Sequence, residues 1–190
     1  SREPSLFVQD SWSSSPRWSV NFGLRWDGQT IVGSDGQVAQ VIQDQYQPRL
    51  GFVYEPGAPG SQRVFGSAGR YYEQISTSLS TWYHLDGGWF RICQYDHDPR
   101  VDPSGCQGYE VLNSIHPEVP DLRGQFFDEY RLGYERRLGG TSRLGAQFVY
   151  RTLGEAIEDA LDMDRDAVTY GNPGRGALEE YPRPHRVFEA

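Results

Sequence analysis

The stretch RWSVNFGLRWDG, residues Arg17 to Gly28, alternates apolar and polar residues more cleanly than any other part of the chain. Because successive side chains of a β-strand point to opposite faces, this alternation predicts a strand with one apolar and one polar face. The polar face carries charged, amide and glycine residues. The apolar face consists of Trp18, Val20, Phe22, Leu24 and Trp26.

The composition favours antiparallel β-structure. Hydrophobic residues make up only 37% of the 190 residues, so a thick core covered on both sides is not expected. Aromatic residues reach 14%, which argues against a disordered chain. The 22 glycines and 12 prolines indicate many turns. Together these features are typical of sheets with one polar face.

Charge and hydropathy exclude two classes of protein. The net charge of −8 argues against a general nucleic-acid binder, which needs a basic face. No apolar run approaches the ~20 residues of a membrane-spanning helix. A transmembrane strand stays possible, because an alternating strand gives no hydropathy peak.

Six further segments are predicted to be strands: QPRLGFVYEP, QRVFGSAGRYYEQIS, FFDEYRLGYERRLGG, RLGAQFVYRT, the run from Leu6 to about Trp12, and the incomplete RPHRVFEA. The second is rich in glycine and its facing is ambiguous; we expect Phe65 and Tyr71 on the apolar face and Arg70 on the charged face. The alternation then places ten charged residues on the charged face: Arg17, Arg25, Arg49, Arg70, Glu129, Arg131, Glu135, Arg137, Arg143 and Arg151.

The connections between these strands alternate between short and long. We interpret QTIVGSDGQVAQVIQDQ as a polar connection, and two longer irregular stretches run from Thr77 to Gln125 and from Leu153 to Pro184. Short periplasmic turns alternating with long extracellular loops are typical of outer-membrane barrels. We therefore predict an all-β antiparallel meander, about six strands plus an incomplete seventh, forming part of a transmembrane outer-membrane β-barrel. The apolar face would contact lipid, with Trp18 and Trp26 near the two interfaces, and the charged face would line the lumen.

Three strand pairs carry a family resemblance. LFVQDSW followed by WSVNFGLRWD resembles the QDxW…LNxGxRYD hairpin of TonB-dependent outer-membrane receptors. QPRLGFVYEP with RVFGSAGRYYEQI, and FFDEYRLGYERRL with LGAQFVYRT, resemble the hairpins that follow in that family. The likeness is greatest to Oar-like receptors, which carry a carboxypeptidase-regulatory-like domain, and it covers the strand segments rather than the loops.

The resemblance implies a barrel of ~22 strands whose lumen holds a plug domain. It also implies ligand uptake across the outer membrane of a Gram-negative bacterium, powered through the TonB complex. The chain opens on a strand-like segment and closes on what looks like a strand cut short. We therefore expect residues 1–190 to be one partial barrel domain, with the plug and the signal peptide outside it. The ligand is not identified by the sequence.

The charged face has two interpretations. Its residues could contact a plug or guide a ligand, or they could simply be the polar groups that a wet wall needs, paired across strands. We take Arg25, Arg49, Arg70, Glu129, Arg131, Glu135 and Arg151 as the lumen-facing candidates.

The irregular loops offer little catalytic chemistry. An oxidising periplasm favours a disulfide between Cys93 and Cys106, worth ~3 kcal/mol by chain entropy, and a metal pair with His97 is the alternative. Alternate carboxylates in YDHDPRVDPSG could bind calcium, but a solvated acidic loop is the simpler interpretation. His84, His116 and His185 show no paired ligand spacing. No motif supports an enzyme, a cofactor or a metal site.

Two alternatives to a receptor stay open. One is another outer-membrane channel, such as a porin-like barrel. The other is a soluble carbohydrate-binding β-sandwich, in which the aromatic residues would form a core or stack against sugar. The sandwich requires two packed sheets with Trp18, Phe22 and Leu24 buried between them, whereas a barrel requires one continuous sheet with these side chains exposed.

Overall fold

The computed structural model describes residues 1–33, 36–75, 89–102, 104–112, 119–162, 167–183 and 187–189. Within these ranges no helix has the length and apolarity needed to cross a membrane. The strands are β1 (Ser5–Ser15), β2 (Trp18–Val32), β3 (Val38–Tyr54), β4 (Gln62–Tyr72), β5 (Trp89–Gln94), β6 (Gln107–Leu112), β7 (Phe126–Arg137), β8 (Arg143–Glu155), β9 (Glu158–Asp162), β10 (Ala167–Gly171) and β11 (Val187–Glu189), with a 3-10 turn at Gly176–Leu178.

Seven strands form one sheet in the order β1-β2-β3-β4-β7-β8-β11. The meander is interrupted twice, by the hairpins β5–β6 and β9–β10, each of which is a separate two-stranded sheet. The last strand contributes only Val187–Glu189, which pair antiparallel with β8. The predicted meander of six strands and part of a seventh is confirmed.

The register aligns apolar residues in rows across this sheet. In one row, Phe52 pairs with Gly66, Gly66 with Leu132, and Leu132 with Phe148. The next row on the same side of the sheet consists of Leu50, Ala68, Tyr130 and Tyr150. We call the side that carries these two rows the apolar face, and the opposite side the charged face.

Strand β2 contributes to the same apolar face. The Trp18 ring stacks on Tyr54 with centroids 4.4 Å apart. Trp18, Phe22 and Leu24 are 43%, 51% and 44% exposed, so no second sheet covers them. The two-sheet sandwich is therefore wrong. Val20 and Trp26 lie on the same face but are half-buried, and the indole Nε1–H of Trp26 donates to the Gln43 carbonyl at 2.7 Å.

The apolar face of β1 carries a carboxylate, that of Asp10. Asp10 pairs with Phe22, so its side chain projects to the same side as that ring. Its Oδ1 accepts a hydrogen bond from the backbone N–H of Ser11 at 2.8 Å, which satisfies part of the charge locally.

The predicted facing of β4 was wrong. Arg70 pairs with Asp128, and the next row on the same side holds Ala68 and Tyr130, so Arg70 is on the apolar face. Phe65 and Tyr71 lie on the charged face instead. Both faces of RVFGSAGRYY mix an aromatic ring with small residues, so the alternation gave no contrast and the arginine was assigned by its charge alone.

The polar stretch after Gly28 is strand rather than loop, which corrects the second of the predicted connections. β2 continues to Val32 and β3 begins at Val38, and the N–H of Gly33 donates to the Gln37 carbonyl at 2.8 Å. This segment mixes apolar residues such as Ile31, Val41 and Ile42 with glutamines on both sides. It therefore lacks an apolar stripe, and sequence periodicity cannot distinguish it from a loop.

The chain consists of two compact units. The first contains Ser1, Thr30–Val41 and Ile75–Glu118, and the second contains the remaining residues. The second unit contains a small core beside the long connections, built from Leu122, Leu153, Ala156, Tyr170 and Leu178. Asn172 ties this core together from the inside. Its Oδ1 accepts from the Arg123 N–H at 2.7 Å, and its Nδ2 donates to the carbonyls of Arg123 and Ala156 at 3.0 and 2.7 Å.

Candidate functional site: the charged face of the sheet

A row of four residues crosses the middle of the charged face: Arg49, Gly69, Glu129 and Arg151. Glu129 is only 3% exposed, yet it is an ionised acceptor for two arginines. Arg131 Nε donates to Oε1 at 2.6 Å, and Arg151 donates to Oε2 through both Nε and Nη2. The two guanidiniums are 46% and 47% exposed, so water screens them while the carboxylate is covered.

A second chain of polar contacts joins β2 to β4. Arg25 Nε lies 2.9 Å from both Asp27 carboxylate oxygens, and Gln47 Nε2 donates to the same carboxylate. Gln47 Oε1 in turn accepts from Arg49 Nη2 at 3.0 Å. The Arg49 guanidinium lies 4.8 Å from the Tyr71 ring centroid, within the range of cation–π attraction.

A third cluster lies where the strands meet their short turns. Arg63 forms a bidentate pair with Glu135, with Nε and Nη2 at 3.1 and 3.0 Å from its two oxygens. Arg143 Nη1 approaches the same carboxylate at 3.8 Å. A small pocket of about 160 Å³ lies among these side chains, Arg137 and the 60–61 turn.

Small residues leave a groove of about 510 Å³ across β1 to β4. Its charged-face lining includes Asn21, Gly23, Gly51 and Ser67, bordered by the Arg25 and Arg49 guanidiniums. These groups donate hydrogen bonds and carry positive charge, so the groove suits anionic or hydroxyl-rich surfaces.

Six of the seven predicted residues share this face: Arg25, Arg49, Glu129, Arg131, Glu135 and Arg151. The seventh, Arg70, does not. Its Nε and Nη2 bond the two Asp128 oxygens at 2.8 and 2.9 Å, and its guanidinium lies 3.7 Å from the Phe126 ring centroid. Asp128 and Phe126 thus give the arginine an ionic and an aromatic partner on the apolar side.

Sequence reasoning missed several members of the charged face. Gln47 stands two positions from Arg49, so the same period of two indicates it. Asp27 was placed on the polar face by the alternation but was not chosen as a candidate, although it and Gln47 connect Arg25 to Arg49. Arg63 and Tyr71 were missed for a different reason: the facing of β4 had to come from its pairing with β7.

The β5–β6 hairpin carries the predicted disulfide between Cys93 and Cys106, with Cα atoms 5.1 Å apart. The disulfide is confirmed, and the alternative metal pair is wrong because both thiols are used. Among the described residues, no group of three or more His, Cys, Asp or Glu side chains could hold a metal ion. His84, His116 and His185 lie outside the described ranges.

Two carboxylates of this hairpin, Asp98 and Asp102, form hydrogen bonds within its own turn. Arg100 donates to Asp98 from its backbone and its guanidinium, at 3.0 and 2.9–3.0 Å, and these bonds lower the pKa of Asp98. The Asp102 carboxylate accepts from the Ser104 N–H at 2.9 Å, and the hydrogen bonds from Ser104 lower its pKa too. In this hairpin the acidic residues therefore act as turn formers.

Comparisons with known proteins agree with the fold. A TonB-dependent transporter, Oar, of Myxococcus xanthus is 28% identical over 96% of this chain, and the chain spans 20% of that protein. The crystal structure of the siderophore receptor PirA from Pseudomonas aeruginosa superposes with a TM-score of 0.55 at 16% identity, over 98% of this chain and 29% of that one. Residues 1–152 match the model of the TonB dependent receptor-like β-barrel family, and the chain therefore belongs to that family.

Proposed function

We propose that this chain is a wall segment of an outer-membrane receptor barrel in a Gram-negative bacterium. The observation that carries the proposal is the contrast between the two faces of one sheet. Large apolar side chains such as Phe22, Leu132 and Phe148 stand about half exposed on one side. Arginines and carboxylates join in networks on the other. Lipid outside and a wet lumen inside satisfy both faces at once.

In this arrangement the apolar face of β2 contacts the bilayer through Trp18, Val20, Phe22, Leu24 and Trp26. The six predicted residues on the charged face, Arg25, Arg49, Glu129, Arg131, Glu135 and Arg151, line the lumen. The full-length receptor would capture a ligand at its long loops and pass it through a lumen filled by a plug domain. Energy would come through the TonB complex. Membership of the receptor family supports this transport role and gives no support to an enzymatic one.

A porin-like channel is the second candidate, because it needs the same two faces. The two functions differ in their periplasmic partner. We expect the detergent-solubilised full-length protein to bind the purified periplasmic domain of TonB in isothermal titration calorimetry. A full-length protein that shows no TonB binding and conducts ions as an open pore would favour the channel.

Orientation can be tested in intact cells with single cysteines and a membrane-impermeant maleimide. A cysteine at Val101, which is 84% exposed between β5 and β6, should be labelled from outside. A cysteine at Gly140, in the short β7–β8 turn, should be labelled only after the outer membrane is opened. Both cysteines of this chain are in the disulfide, so neither reacts with the maleimide. The reverse labelling pattern would refute the proposed orientation.

A further inference from the structure

The short-turn end of the charged face carries an excess of positive charge. We call it the basic rim and define it by Arg17, Arg63, Arg137, Arg143 and the carboxylates Glu55 and Glu135. Four guanidiniums thus meet two carboxylates in a chain whose net charge is −8.

Two of the arginines oppose each other directly. Arg137 pairs with Arg143 across β7 and β8, and like charges at directly opposite positions are destabilising. Glu135 gives little relief, because Arg63 holds it in a bidentate pair and Arg143 reaches it only at 3.8 Å. Two opposed arginines are tolerated when a negatively charged group from another segment lies between them.

The second carboxylate is also engaged. Glu55 Oε2 accepts a hydrogen bond from the Gly60 N–H at 3.2 Å, within its own turn. Among the described residues, neither Arg17 nor Arg137 forms an ion pair. Glu55, Arg137 and Arg143 are among the residues that line the pocket of about 160 Å³, which is large enough for one carboxylate group and its nearest waters.

We infer that the basic rim binds an acidic polypeptide segment, with a carboxylate side chain held between Arg137 and Arg143. Planar guanidiniums match a carboxylate in bidentate geometry, and such charge-assisted bonds are stronger than neutral ones. A polypeptide is favoured over a lipid headgroup because the rim lies on the charged face, opposite the aromatic side chains that would meet lipid. The inference rests on the proposed function, in that this face is turned toward the lumen.

The test uses the full-length receptor in native outer membranes. The photo-crosslinking residue p-benzoyl-phenylalanine is placed at Gly140, where an added Cβ meets no atom within 4 Å. After illumination the crosslinked peptide is identified by mass spectrometry. We expect crosslinks to a segment rich in Asp and Glu. Crosslinks confined to lipid, or to a segment without carboxylates, would overturn the inference.

Charge reversal supplies the second arm. The double variant Arg137→Glu, Arg143→Glu should lower the crosslink yield at least fivefold. The control Arg100→Glu reverses the charge of an arginine that is 88% exposed in the β5–β6 hairpin and does not line this pocket, and it should leave the yield within about twofold. Equal yields in both variants would overturn the inference. The crosslink is read without any ligand or TonB, so a failure of the transport proposal would leave this result interpretable.

Discussion

The ring of Phe65 occupies the space in which a Cβ of Gly133 would stand. The two residues are direct partners across β4 and β7 on the charged face. The same relationship occurs on the apolar face, where a Cβ on Gly66 would lie 2.6 Å from the Phe52 ring. In these pairs the missing side chain is what lets an aromatic ring cover the neighbouring strand.

Replacing Gly133 with alanine should therefore destabilise the barrel. The new methyl group forces Phe65 out of its position, and overpacking of this kind costs about 1–3 kcal/mol. The measurement is urea unfolding of the full-length protein in lipid vesicles. Gly51→Ala is the matched control, because an added Cβ there meets only the Gly66 carbonyl at 3.7 Å. A loss in both variants of equal size would show that strand glycines matter for another reason.

Removing the two cations around Glu129 should cost more than neutralising Glu129 itself. The double change Arg131→Met, Arg151→Met leaves a covered carboxylate without its ion pairs, at about 1–3 kcal/mol. Glu129→Gln leaves two half-exposed guanidiniums that water screens, so its cost is about 1 kcal/mol or less. Urea unfolding of both variants gives the comparison. The opposite order would mean that repulsion between the arginines outweighs desolvation of the acid.

The ion pair on the apolar face gives a different pattern. Arg70→Leu leaves the Asp128 carboxylate beside lipid without its cation. This change should lower the free energy of unfolding by about 1–3 kcal/mol. Adding Asp128→Leu removes the orphaned charge, and the double variant should return to within about 1 kcal/mol of the parent. Unfolding in lipid vesicles measures both. If the double variant instead lost the sum of the two single losses in unfolding free energy, each residue would stabilise the barrel through contacts other than their ion pair.

The disulfide should stabilise its hairpin without affecting the seven-stranded sheet. Changing Cys93 and Cys106 to serine removes a constraint worth up to ~3 kcal/mol in the β5–β6 hairpin. We expect faster protease cleavage between residues 89 and 112 and an unchanged unfolding midpoint of the sheet. Mass spectrometry of the parent without reductant should show no thiol available for alkylation at either cysteine. Two alkylated cysteines would contradict the disulfide.

Asn172→Ala should loosen the small core beside the long connections. The substitution leaves the Arg123 N–H and the carbonyls of Arg123 and Ala156 without their partner, which costs about 1–3 kcal/mol. Limited proteolysis should then cut near residues 119–125 and 171–178 sooner than in the parent. Asn21→Ala, an exposed change on the charged face, is the control and should not alter the cleavage pattern. Equal cleavage of Asn172→Ala and the parent would show that the core does not depend on this amide.

Much of the fold could be predicted because the alternation is strong where one face is apolar. Trp18, Phe22 and Leu24 needed no structure to be placed together, and the same holds for Arg49, Glu129 and Arg151. The prediction failed where contrast was low. In β4 both faces mix rings with small residues, so Arg70 was placed on the wrong side. After Gly28 both faces mix apolar residues with glutamines, so a strand was interpreted as a loop.

The sequence by itself determined the strand period, the existence of two unlike faces and the pairing of the cysteines, because each depends on residues close in the chain or limited in number. Only the tertiary structure decided the register, that is, which residues of neighbouring strands lie opposite each other. The register places Glu129 beside two arginines, packs the Phe65 ring over Gly133 and pairs Arg137 with Arg143. Cross-strand contacts depend on register, and register depends on the packing of all strands together rather than on the pattern within one.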